Sequence, residues 1–167
     1  MCSRTTGGWS YGRNRHGAFS FYTFHEPHNE VIGVTQLFKT GEIWGIDTYY
    51  LNIPASKETL DHGKYIPTAE VETDLLFTLT NYLEAAHDHL ELTPPLEVRV
   101  GMTQVEGYEI TVPHRSFTGQ FAGRIFEPAF VYASLIESYD AKADEILLPF
   151  FRQMYDMAGE VRPEPNK

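Results

Sequence analysis

Aromatic and apolar residues crowd residues 17–24, where Ala18, Phe19, Phe21, Tyr22 and Phe24 lie between Gly17 and the pair Pro27 and Asn29, which predicts a strand. Residues 31–38 and 43–51 are two further β-rich runs separated by Lys39-Thr40-Gly41-Glu42. Glycine supplies the positive φ of a tight turn, so the two runs are expected to form a hairpin. Leu37, Trp44 and Ile46 stand against Val34, Phe38 and Ile43, so both faces read as apolar and the strands are expected to be central and covered.

The period then changes. Val71, Leu75, Leu79, Tyr82, Ala86 and Leu90 recur at steps of three and four, with Leu76 and Leu83 widening the stripe, until Pro94-Pro95 stops it. Thr68 reads as the cap of this long helix, ahead of Glu70, Glu72 and Asp74 near the positive end of its dipole. Alternation returns with Val98, Val100 and Met102, and again with Tyr108, Ile110 and Val112 after Glu106-Gly107, which predicts a second hairpin. Residues 125–136 supply another β-rich run. Asp140 reads as the cap of a final helix carrying Leu147, Phe150, Met154 and Met157, which Pro149 is expected to kink or restart.

Strands and helices are thus segregated. The expected fold is α+β, a mainly antiparallel sheet of about six strands with one long and one shorter helix in the order βββ-α-βββ-α. One domain is expected over residues 1–160 of the 167, followed by a tail at 161–167 that contains Pro163 and Pro165.

Charge narrows the possible partners. A net charge of -10 opposes sequence-independent nucleic-acid binding over the whole surface. Residues 1–25 nonetheless hold Arg4, Arg13 and Arg15 and no carboxylate, so they carry +3 against -13 for the rest. A second basic island between Glu109 and Glu127 holds His114, Arg115 and Arg124. No run reaches the ~20 apolar residues of a membrane-spanning helix, and residues 1–10 lack the apolar core of a signal peptide, so a cytoplasmic protein with no membrane partner is expected. The single cysteine, Cys2, cannot form an internal disulfide or a thiolate-rich zinc site.

Recognised catalytic motifs are missing or incomplete. Gly7-Gly8-Trp9-Ser10-Tyr11-Gly12-Arg13-Asn14 has the glycine spacing of a phosphate-binding loop but places Arg13 and Asn14 where that chemistry needs Lys and Ser or Thr. If extended, the same stretch places Trp9, Tyr11, Arg13 and Arg15 on one face, suited to stacking on bases and pairing with phosphates. Together with His114, Arg115 and Arg124 it is the expected ligand-binding or anion-binding surface. The seven histidines show no metal-ligand spacing: Pro27 breaks the helix that His25-Glu26-Pro27-His28 would need, and His87 and His89 diverge on a helix. No metal or other cofactor is expected. Glu97-Val98-Arg99 only approximates a nuclease pattern, whereas Asp47, set in an apolar strand, must be paired, exposed at an edge or held for chemistry.

Arg4-Thr5-Thr6-Gly7-Gly8-Trp9-Ser10, Gly41-Glu42-Ile43-Trp44-Gly45, Asn81-Tyr82-Leu83, Val105-Glu106-Gly107-Tyr108 and Pro149-Phe150-Phe151 together resemble the carboxy-terminal region of bacterial proteins carrying a Schlafen/AlbA-type nucleic-acid or ATP-binding domain. The resemblance implies an accessory, sensing or oligomerising module beside a nucleic-acid-associated partner or parent protein, in defence or regulation. The leading expectation is a non-catalytic binding domain. A small hydrolase or nucleic-acid-processing enzyme, in which Asp47, Glu106 or His114 act as acid/base or ligands, is the alternative, and a homo-oligomer built on the aromatic strands, recognisable by a contiguous apolar patch, is the third.

Overall fold

A computed structural model describes residues 8–23, 31–51, 64–112 and 120–164. The elements run β1 (Gly8–Asn14), β2 (Gly17–Thr23), β3 (Val31–Phe38), β4 (Ile43–Asp47), β5 (Tyr65–Pro67), α1 (Thr68–Asp88), β6 (Leu96–Thr103), β7 (Glu109–Val112), β8 (Gln120–Arg124), β9 (Ala129–Ile136) and α2 (Ala143–Asp156). The class is α+β, with two helices among the described residues. The strands number nine among the described residues and fall into three sheets, ordered β1-β2-β3-β4, β5-β7-β8 and β6-β9, with β5 parallel to β7 and the other pairs antiparallel.

The main core lies between the helices and the two smaller sheets. Leu147, Phe150, Phe151, Met154 and Tyr155 of α2 are buried against Val71 and Leu79 of α1, Ile66, Ile110, Phe130 and Ile136 of the strands, and Val105 and Ile125 beside them. Phe130 and Phe150 stack with ring centroids 5.3 Å apart. Burial of each such ring contributes about 1.5–3 kcal/mol.

Several local expectations are corrected by this packing. Thr68 is the first helical residue and Pro67 occupies the cap position; the buried Thr68 hydroxyl donates instead to the Thr111 carbonyl of β7 and accepts from Tyr155 at 2.8 Å. Asp140 does not cap α2, because its carboxylate accepts from the Ser138 hydroxyl at 3.0 Å and the cap falls at Lys142. Pro149 lies inside one helix and does not restart it. The second hairpin is not formed: β6 pairs with β9, while β7 pairs with β5 and β8. Val105 and Tyr108, buried between the two strands, anchor that connection in the core instead of in a surface turn. Residues 31–38 and 43–47 do form the first hairpin, with Gly41 at φ 92° in its turn.

The stretch expected to be a tail is fastened at Arg162, whose guanidinium meets both carboxylate oxygens of Glu72 at 2.8 and 2.6 Å and lies over the Phe151 ring. Among the described residues, no helix is long and apolar enough to cross a membrane.

Candidate binding surface

Among the described residues, the four-stranded sheet packs on the body through one face. Strand alternation puts Ala18, Ser20 and Tyr22 of β2, Gly33, Thr35 and Leu37 of β3, and Ile43, Gly45 and Asp47 of β4 on that side. There the Tyr82 hydroxyl of α1 lies 3.1 Å from Thr35 Oγ1 and so close over Gly45 that any side chain at that position would overlap it. After β4, Tyr50 donates to Asp74 of α1, and Leu51 accepts from Tyr108 at 3.1 Å. These contacts fix the sheet on α1 and on the turn before β7.

Among the described residues, no helix or second sheet packs on the opposite, open face. Its rows, read across the strands, are Ser10, Phe21, Val34 and Ile46, then Gly12, Phe19, Gln36 and Trp44, then Asn14, Gly17 and Phe38. Phe19 reaches across Gly12 and lies near-parallel to Phe21, and Phe38 meets Trp44 edge-on at 5.9 Å. Trp44 remains 58% and Ile46 59% exposed. The expectation that these strands are covered on both faces is therefore corrected: β4 is an edge strand, and the register groups Trp44 and Ile46 with Val34 and Phe38, not with Leu37.

The one charged residue along these rows, Glu42, stands at their margin beside Phe38, whose amide donates to the Glu42 carbonyl at 2.8 Å. The central polar residue, Gln36, is satisfied within the sheet: its Nε2 donates to the carbonyls of Ala18 and Leu37 at 2.9 and 3.0 Å, and its Oε1 accepts from Asn14 at 2.9 Å. Asn14 Oδ1 accepts in turn from the amides of His16 and Gly17. A buried amide costs free energy only when its partners are lost, so covering this face would strand none of the hydrogen-bonding groups of Gln36.

The residues singled out in the sequence lie around this sheet or away from it. Trp9, Tyr11 and Arg13 alternate along β1, which is extended and paired, so the glycine-rich stretch is not a phosphate-binding loop. Tyr11 is 90% exposed and Arg13 is exposed. Arg15 lies in the β1–β2 turn, not on the strand, and donates to His16. Arg124 belongs to another sheet and is engaged by Glu109 at 2.9 Å; no described contact joins it to Arg13 or Arg15. His114 and Arg115 lie outside the described residues. Asp47 is exposed at the edge and accepts the Tyr49 amide at 2.7 Å, while Glu106 is exposed in the turn before β7, with no described contact between the two. Glu97 and Arg99 pair on the exposed side of β6. Among the described residues no three His, Cys, Asp or Glu side chains gather as a metal-binding group.

The residues missed in the sequence are Phe19, Phe21, Phe38, Trp44 and Ile46 acting as one surface. Their signal was the apolar alternation on both sides of the hairpin. No family model, curated protein or solved structure matches the chain. The likeness to Schlafen/AlbA-bearing proteins stands on the short sequence signatures alone.

Proposed function

We propose that the chain is a non-catalytic interaction domain, an accessory or sensing module whose docking surface is the open face of the four-stranded sheet. The observation that supports this is the aromatic face, with charge only at its margin and its one central amide, Gln36, internally satisfied. Interface cores are depleted of charge and enriched in aromatic residues, whereas a nucleic-acid platform interleaves its rings with free cations along the strand path. Here the cations Arg13 and Arg15 stand on the far face of β1 and in a turn. The partner is accordingly an apolar protein surface.

Fluorescence anisotropy of labelled single-stranded DNA and RNA at low and moderate salt tests this choice, with Arg13→Ala/Arg15→Ala as the comparison. An apolar docking face predicts no salt-sensitive binding. Binding that falls steeply with salt and disappears in the double variant would replace protein docking with phosphate recognition, and cleavage of the same samples would establish an enzyme.

A further inference from the structure

We infer that β4 pairs antiparallel with β4 of a second copy of this chain, about a two-fold axis at Gly45, joining two four-stranded sheets into one of eight strands. The inference rests on the open face being an interaction surface and names the element that enlarges it.

Backbone direction restricts the register. Phe38 donates to the Glu42 carbonyl and Thr48 to the Ile32 carbonyl, both at 2.8 Å, so the even-numbered residues from 42 to 48 turn their backbone groups toward β3. In an antiparallel ladder the intervening residues face the other way. The amides and carbonyls of Ile43 and Gly45 therefore point out from an edge that has no strand beside it among the described residues. Two copies can exchange hydrogen bonds only between such outward residues, so odd-numbered residues must oppose odd-numbered ones; of the two central registers, an axis at Trp44 sets Glu42 opposite Ile46, whereas an axis at Gly45 keeps the ladder within the five residues of β4. Pairing Gly45 with its own equivalent sets Ile43 opposite Asp47 and Trp44 opposite Ile46.

That arrangement is self-complementary. Trp44 and Ile46 form a non-hydrogen-bonded pair, the closer of the two kinds, and an aromatic ring beside a β-branched side chain is a favourable cross-strand pair. It occurs twice around the axis and covers part of the exposed Trp44 and Ile46 side chains. The sequence Ile43-Trp44-Gly45-Ile46-Asp47 contains no proline and no lysine, its register with β3 has no bulge, and its one charge, Asp47, stands at the end of the strand.

Area gives the second reason. From a strand spacing of about 4.8 Å and a rise of about 3.3 Å per residue, one open face covers about 400 Å². A stable protein interface takes about 800 Å² from each partner. The two-fold axis is perpendicular to the sheet, so both open faces lie on the same side and form one continuous surface of about that size.

Sedimentation equilibrium of the full chain, with cysteine pairing, tests the inference. The chain is expected to sediment at twice its 19.1 kDa mass. In a Cys2→Ser background, mixed Trp44→Cys and Ile46→Cys chains are expected to form a disulfide-linked dimer, with at least tenfold less from either chain alone, because the opposed Cα atoms lie within disulfide reach. Trp44→Lys/Ile46→Lys is expected to weaken association at least tenfold. A monomer at every soluble concentration overturns the inference, as does a dimer that gives no mixed disulfide. Binding of 8-anilinonaphthalene-1-sulfonate reports the open face in monomer and dimer alike, so failure of the pairing is distinguishable from failure of the docking face.

Discussion

Asn14 donates its side-chain amide to Gln36 Oε1 at 2.9 Å, joining the outer strand of the four-stranded sheet to its interior strand across β2. Gln36 is held from both ends, because its own amide nitrogen also serves Ala18 and Leu37. Gln36→Ala removes these bonds and leaves the Asn14 amide facing solvent. The expected loss is about 1–2 kcal/mol in urea unfolding, since each neutral bond contributes about 0.5–1.5 kcal/mol net and Gln36 is only half-buried.

Arg162 and Glu72 form a two-pronged ion pair with side chains 19% and 14% exposed, ninety positions apart in sequence. Losing one member leaves the other poorly solvated. Arg162→Ala is expected to lower stability by about 2–3 kcal/mol, less than the ~3–5 kcal/mol of a fully buried pair, with the urea midpoint falling and the slope unchanged.

Gly123 forms the bulge between β7 and β8 at φ 46°, where a Cβ would overlap the Ala158 carbonyl oxygen behind α2. Gly107 has φ 79° but open space around it. Gly107→Ala should cost about 1–2 kcal/mol from the backbone conformation alone. Gly123→Ala should cost clearly more, because backbone must move, and thermal unfolding of the pair measures the difference.

Burial raises the Tyr155 phenol pKa above its usual value, Glu72 adds to the shift, and the Thr68 hydrogen bond and Arg162 oppose it. A group whose pKa is raised on folding leaves stability intact below the unfolded value, here about 10, and lowers it as the pH climbs from there toward the folded pKa. Stability should therefore decline above pH ~10, with Tyr155 among the last phenols to ionise in an absorbance titration. In Tyr155→Phe that part of the alkaline decline should vanish, at the cost of about 1 kcal/mol at neutral pH for the lost bond to Thr68.

Much of the fold is legible in local pattern. The stripe from Val71 to Ala86 specifies α1, and the run from Val31 to Phe38 specifies β3, because each period is long and uninterrupted. β1 and β8 are hidden by Gly8, Gly12 and Gly123, which read as loop although one accommodates the Phe19 ring and another makes a bulge. The pairings of β6 with β9 and β5 with β7 join distant segments, so local spacing cannot express them. The same limit applies to the binding surface. Apolar residues on both sides of the first hairpin are visible in the sequence; that α1 covers one side and leaves Trp44 and Ile46 on the other depends on tertiary placement through Tyr82.

The docking face is tested most directly by titrating the chain with 8-anilinonaphthalene-1-sulfonate beside Trp44→Ser/Ile46→Ser, with thermal unfolding of both proteins. Exposed residues kept for binding contribute little to the fold. The expected result is strong probe fluorescence in the parent, at least a severalfold loss in the variant, and closely similar unfolding midpoints. A parent that leaves the probe dark, or a variant that binds it as strongly, would contradict the assignment of this face as an interaction surface.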